Sequence, residues 1–222
     1  MPDALCIAIV GAESTGKTAL AQALSERLRA ETGKQVTWVP EMLRGGCESA
    51  GRTPMAHEQA SMLRLQHEQI TAAAATHDMV VCDTTALMTA VYSEIVFQDL
   101  SLHARAALLH RRHVRHTLLT AIDLPWVADG LQRAGPQVQA PADNALRALM
   151  SAQGIGFSVV SGRGKDRLAH AMAALAPVLR DATQVAPADD AGPARWRCAD
   201  CGDADCERRL FRLADARRQT GL

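Results

Sequence analysis

Aromatic residues are scarce. Three Trp, one Tyr and three Phe make up 3% of the 222 residues. Proteins that track a single nucleic-acid strand stack its bases on rows of aromatic side chains, so that class is disfavoured. Neither sign of charge is in excess, with Lys plus Arg and Asp plus Glu at 24 each. That balance argues against a general binder of nucleic acid or of anionic membranes, while leaving room for one small anionic ligand. No apolar run approaches the ~18 residues of a membrane-spanning helix. An apolar segment of strand length begins at Ala4, which leaves no space for a leader peptide. The expected setting is therefore cytoplasmic, and there the six cysteines read as thiols or metal ligands before disulfides.

What the chain does have is a glycine loop in a specific context. Gly11-Ala12-Glu13-Ser14-Thr15-Gly16-Lys17-Thr18 satisfies every fixed position of G-x-x-x-x-G-K-[ST]. An uninterrupted apolar run, 4–10, precedes it, and a segment of good helix formers follows from Thr18. Strand, glycine loop and helix in that order are the context a phosphate-binding loop requires. The glycines let the backbone aim successive N–H groups at one anion, and the helix N-terminus adds unpaired donors and partial positive charge. Lys17 can reach the β- and γ-phosphates of a nucleotide, and the Thr18 hydroxyl can ligate Mg²⁺.

Further along, apolar strand-length runs alternate with helical patterns. Leu20, Leu24 and Leu28 mark a buried stripe on a first helix ending at Gly33. A second strand is expected over 35–39, a long helix over 55–77, a third strand over 78–83 and a helix from Thr85. Another helix is expected over 100–115, a fourth strand over 117–123 ending in Asp123, a helix over 143–153, a fifth strand over 156–160 and a last helix over 165–179. The stretch 124–141 has Pro and Gly with little periodicity and reads as a loop or lid. This alternation is the signature of an α/β domain with a parallel sheet. Residues 181–197 are a linker rich in Ala, Pro, Asp and Gly. Residues 198–222 form a small Cys-containing helical tail, leaving 1–180 as the nucleotide-binding domain.

The loop at 11–18, Val39-Pro40-Glu41 with Arg44, Asp83-Thr84, and Asp123-Leu124-Pro125-Trp126-Val127-Ala128-Asp129-Gly130 together resemble the ribosylnicotinamide kinase domain of NadR-type proteins. That family belongs to the P-loop nucleoside-kinase-like ATPases. The resemblance spans roughly residues 4 to 180 and implies a three-layer αβα P-loop fold with a five-stranded parallel sheet of order 2-3-1-4-5. It also implies ATP, Mg²⁺ and transfer of a γ-phosphoryl group to a nucleoside hydroxyl, with ribosylnicotinamide as the preferred substrate. The adenylyltransferase and helix-turn-helix domains that such proteins can carry are not seen, and the Cys-bearing tail lies outside the pattern.

Each candidate has a functional role and a plainer one. Asp83 ends an apolar strand beside the loop, which suits Mg²⁺ binding; it could instead cap the following helix. Glu41, just past a strand's carboxyl end, could accept the proton of the attacking hydroxyl or anchor the ribose. Arg44 could pair with Glu41 or hold a phosphate. Asp123 suits ribose or Mg²⁺-bound water, against turn chemistry before Pro125. Trp126 could stack on a cationic ring or be an ordinary core Trp, and Asp129 could meet the same cation. Arg133 is the candidate lid arginine for charge on the transferring group. Arg163 and Lys165 follow the fifth strand, beside the nucleotide. His110, His113 and His116 stand among arginines that would repel a metal, and read as a solvated basic face or subunit contact. Cys198, Cys201 and Cys206 supply three ligands of a structural Zn²⁺ site, with free thiols or a disulfide as alternatives. A homo-oligomer stays open. A different class of function is a regulatory P-loop ATPase that acts through a protein partner and transfers phosphate only to water.

Overall fold

The computed structural model describes residues 4–42, 52–127 and 135–183. By its internal contacts the chain divides between Ala182 and Thr183, and the account below concerns the first unit. The elements are β1 (Leu5–Val10), α1 (Lys17–Thr32), β2 (Val36–Val39), α2 (Gln59–Ala74), β3 (Met79–Asp83) and α3 (Ala86–Phe97), followed by α4 (His103–His113), β4 (Val114–Thr120), α5 (Gln139–Ala152), β5 (Ser158–Val160) and α6 (Lys165–Thr183).

The five strands form one parallel sheet in the order β2-β3-β1-β4-β5, as the motifs implied. β1 is central and wholly buried. Its side chains alternate between two cores, as a strand covered on both faces must. Ile7 and Ile9 pack with Leu24 and Leu28 of α1 and with Ala171 and Leu175 of α6. Ala8 and Val10 face Leu87 and Val91 of α3 and Leu146 and Met150 of α5. The result is three layers, helices on both sides of the sheet. Because every strand runs the same way, Val39, Asp83, Val10, Thr120 and Val160 all end at one edge.

Several elements differ from expectation, each for a local reason. The helix expected over 55–77 is split. Residues Ala56–Glu58 make a 3₁₀ turn before α2 begins. The Glu58 carboxylate accepts from the Met55 N–H at 2.7 Å and from both terminal nitrogens of Arg52 at 2.7 and 2.8 Å, which tightens that turn. The Arg52 guanidinium holds the Glu58 pKa down at about 2. Helix α4 passes directly into β4, so the strand starts at Val114 and ends at Thr120 rather than at Asp123. Asp123 therefore stands in the loop beyond the strand. Helix α5 starts at Gln139, four residues earlier than expected, after a 3₁₀ turn at Pro136–Val138.

His110 is a correction. It is 3% exposed, not part of a solvated face. Its Nδ1 hydrogen-bonds the Thr85 hydroxyl at 3.0 Å and its Nε2 the Thr117 hydroxyl at 2.9 Å, tying α4 to β4 and to the turn that opens α3. Among the described residues no group of three or more His, Cys, Asp and Glu side chains could hold a metal ion, and no helix is long and apolar enough to cross a membrane.

Candidate active site

The glycine loop leaves β1 at Val10 and returns into α1 at Lys17. Gly11 (φ +152°) and Gly16 (φ +76°) take conformations that L side chains disfavour. A Cβ on Gly11 would lie 2.1 Å from Thr120 Oγ1, so only glycine lets the loop pass that close to β4. Ser14 is also left-handed (φ +57°), and its hydroxyl accepts the Val127 N–H at 2.8 Å. The Lys17 ammonium donates to the Ala12 carbonyl at 2.8 Å, spanning the loop. Thr15, 1% exposed, donates to the same carbonyl at 2.8 Å and hydrogen-bonds Thr120 at 2.7 Å.

β3 carries Asp83 to the side of this loop, in register with Ile9 of β1. Asp83 is 1% exposed. The next residue, Thr84, is left-handed at φ +72°, an outlier for a β-branched side chain, and its N–H donates to the Ile9 carbonyl at 3.0 Å. Thr85 then caps α3, its hydroxyl accepting the Leu87 N–H. The helix-capping role open to Asp83 thus falls to Thr85. A buried carboxylate at this place, the half-buried hydroxyl of Thr18 and the glycine-permitted loop are a donor set that fits a nucleotide with a hard, oxygen-seeking cation.

Two pockets flank the loop. On the β2–β3 side, Glu41, Met42, Met62, Gln66, Thr84 and Tyr92 line a cleft with about 10 Å³ of free space. Gln66, 3% exposed, clamps its rim by accepting from the Met42 N–H at 2.8 Å and donating to the Pro40 carbonyl at 3.2 Å. Glu41 stands between those two anchors. On the β4–β5 side, an apolar pocket of about 290 Å³ is walled by Leu20 and Ala23 of α1, Leu124 after β4, and Lys165 and Leu168 of α6. Arg163 is exposed, in the turn between β5 and α6. Trp126 is half-buried, with its Nε1–H buried and unpartnered.

Asp123 is engaged within the fold. One carboxylate oxygen accepts from the Gly162 N–H at 2.6 Å and the other from Arg167. Arg44, Asp129, Arg133, Cys198, Cys201 and Cys206 lie outside the described residues, as do residues 128–134 of the expected lid. Burial pushes the Cys6 thiol up to about 11 and raises Cys82 as well, which disfavours the thiolate at both.

Three buried polar residues at this edge were not singled out from sequence: Gln66, Gln139 and Arg167. Each stands on a buried helix stripe that is mostly apolar. Gln66 follows Leu63 and precedes Ile70 on α2. Gln139 heads the buried face of α5. Arg167 stands four residues before Ala171 and eight before Leu175 on α6. A polar group placed on a buried stripe was the available signal.

The sequence matches the family model described as an AAA domain over residues 6–167. The chain belongs to the AAA domain family. No curated protein matches it significantly. Among solved structures, this AAA domain is similar to a NadR protein in complex with NR, with a TM-score of 0.64 and 17% identity over 85% of this chain and 53% of that one. It is also similar to a NadR protein in complex with NAD and AMP-PNP (TM-score 0.60, 17% identity, 78% of this chain and 49% of that one). A third is thymidylate kinase from Ehrlichia chaffeensis (TM-score 0.57, 14% identity, 80% of this chain and all of that one). The chain spans about half the length of the NadR chains it matches. At these identities the likeness is one of fold, and that fold is the NadR-type, P-loop kinase-like one.

Proposed function

We propose that this AAA domain is an ATP-dependent small-molecule kinase acting on a nucleoside hydroxyl, with ribosylnicotinamide as the preferred acceptor. The observation that carries the reading is the placement of two different pockets on opposite sides of one phosphate loop. A kinase needs a donor and an acceptor held in line across the transferring group, and does little covalent chemistry of its own. The apolar pocket by Leu124 and Leu168 suits a nucleotide base. The loop of residues 11–18 holds the phosphates, with Lys17 reaching the β- and γ-oxygens. The Glu41 cleft receives the acceptor, Glu41 taking the hydroxyl proton and Asp123 serving the loop rather than the sugar. Mg²⁺, when bound, would offset phosphate charge, and on this reading Thr18 and Asp83 would hold it. The kinase domain on this reading comprises residues 1–180.

The NR and AMP-PNP named for the NadR structures support ribosylnicotinamide and ATP as the first pair to try. The test is Mg²⁺-dependent ADP release with and without ribosylnicotinamide, beside thymidine monophosphate and other nucleosides. Strong stimulation by one acceptor, with a phosphorylated product, is the expected result. A second reading, a regulatory ATPase, is favoured by the tightness of the acceptor cleft, whose free space holds about one water. Slow ADP release indifferent to every acceptor would establish that reading instead.

A further inference from the structure

An anion cradle turns its N–H groups inward, so its carbonyls must turn outward, and each buried carbonyl needs a donor. The donors can be traced along the loop. The Ala12 carbonyl is served from within the motif, by Thr15 and Lys17. The Gly16 carbonyl accepts the Leu20 N–H at 3.0 Å, the first bond of α1. Of the three carbonyls between them, those of Glu13 and Thr15 are served from outside. Gln139 Nε2, from the first turn of α5, donates to the Glu13 carbonyl at 2.7 Å. Arg167 Nη1, from the first turn of α6, donates to the Thr15 carbonyl. Both side chains are buried, Gln139 at 7% and Arg167 at 3% exposed. Arg167 is itself braced: its Nε donates to the Gly162 carbonyl at 2.8 Å and its Nη2 to Asp123.

We propose that Gln139 and Arg167 are positioning residues for the nucleotide, holding the Glu13 and Thr15 carbonyls outward so that the phosphate cradle keeps its binding shape, with Asp123 as the brace of Arg167. Gln139 acts from outside the apolar pocket, and Arg167, which also lines that pocket, acts through the loop carbonyl it holds. The guanidinium is suited to the task because one rigid fork serves three acceptors in fixed directions, which a lysine ammonium cannot reproduce. The proposal rests on the phosphate-loop reading of residues 11–18 and is independent of which acceptor, if any, receives the phosphoryl group.

The experiment is calorimetric titration of the full chain with MgADP, well below the melting temperature of each variant, with circular dichroism as the control for folding. Arg167→Ala is expected to weaken MgADP binding roughly 30-fold, and Arg167→Lys to recover only part of that. Added guanidinium ion, at concentrations too low to unfold the protein, restores affinity to Arg167→Ala and does nothing for Lys17→Ala. A residue with a merely structural role would lower the melting temperature without this rescue. Gln139→Leu removes the second donor at similar volume and is expected to cost about 10-fold in affinity. A folded Gln139→Leu protein that binds MgADP like the wild type overturns the proposal, whether or not Arg167→Ala folds. So does a folded Arg167→Ala protein of undiminished affinity. If the kinase reading is wrong, MgADP titration still follows this pattern while ADP release ignores every acceptor, so the two failures are distinguishable.

Discussion

His110 is a histidine that the fold keeps uncharged. Burial, with Arg111 adding repulsion, lowers its pKa from 6.5 to about 4. Between those values the unfolded chain binds a proton that the native state refuses, so this residue makes stability rise with pH across the window. Its contribution is present above pH 6.5 and is lost as pH falls toward 4. Denaturant unfolding at about pH 7 and about pH 4.5 should show a loss on the order of 2 kcal/mol from this group. His110→Gln should flatten that part of the profile, and an unchanged slope would refute the assignment. At the same scale, Lys17→Ala should abolish nucleotide turnover with the circular dichroism spectrum intact, because its ammonium spans the loop at the surface of the fold and holds no core. Glu41→Gln keeps the shape of the cleft and removes the carboxylate proposed as the base. Turnover should fall about 100-fold with little change in ATP affinity, and unaltered turnover would remove Glu41 from the chemistry.

The glycine loop is the element whose geometry is least tolerant. Gly11→Ala adds a methyl group at a position that Thr120 already occupies and asks for a conformation that alanine avoids. Loss of roughly 1–3 kcal/mol in unfolding free energy, with weaker nucleotide binding, is the expected outcome. Normal binding and stability would mean the loop can pass β4 by another route. The loop's existence was legible in the residues themselves, because glycine, lysine and threonine at fixed spacing between a strand and a helix have few other uses. The elements around it were legible less evenly. Helix α1 ends where Gly33 signals. The junction of α4 and β4 was misplaced because His110 satisfies its hydrogen bonds in the core, and a histidine-and-arginine run looks like a water-facing surface until its partners are known. The 3₁₀ turn before α2 was missed because Arg52 and Glu58, which shape it, are six residues apart and form a pair only once the chain bends.

Across the described residues, much of the core lies apart from the loop. The Leu24 side chain is fully buried between α1 and the sheet, away from the carboxyl edge. Leu24→Ala should therefore cost about 2–5 kcal/mol of stability while leaving MgADP affinity close to that of the wild type below the melting transition. A large loss of affinity in the folded variant would show that core and cradle are coupled. The sequence by itself determined the phosphate loop, the α/β alternation and the acid that ends β3, because these depend on residue type and near-neighbour spacing. Only the tertiary structure decided which partner each acid has. Asp123, read as a ligand for sugar or metal-bound water, is bonded to Arg167 and to Gly162 across about 40 residues of chain. Gln139 and Arg167 serve loop carbonyls more than 120 residues away. Such pairings follow from the parallel sheet, which gathers the strand ends at one edge, and no local pattern in the chain encodes them.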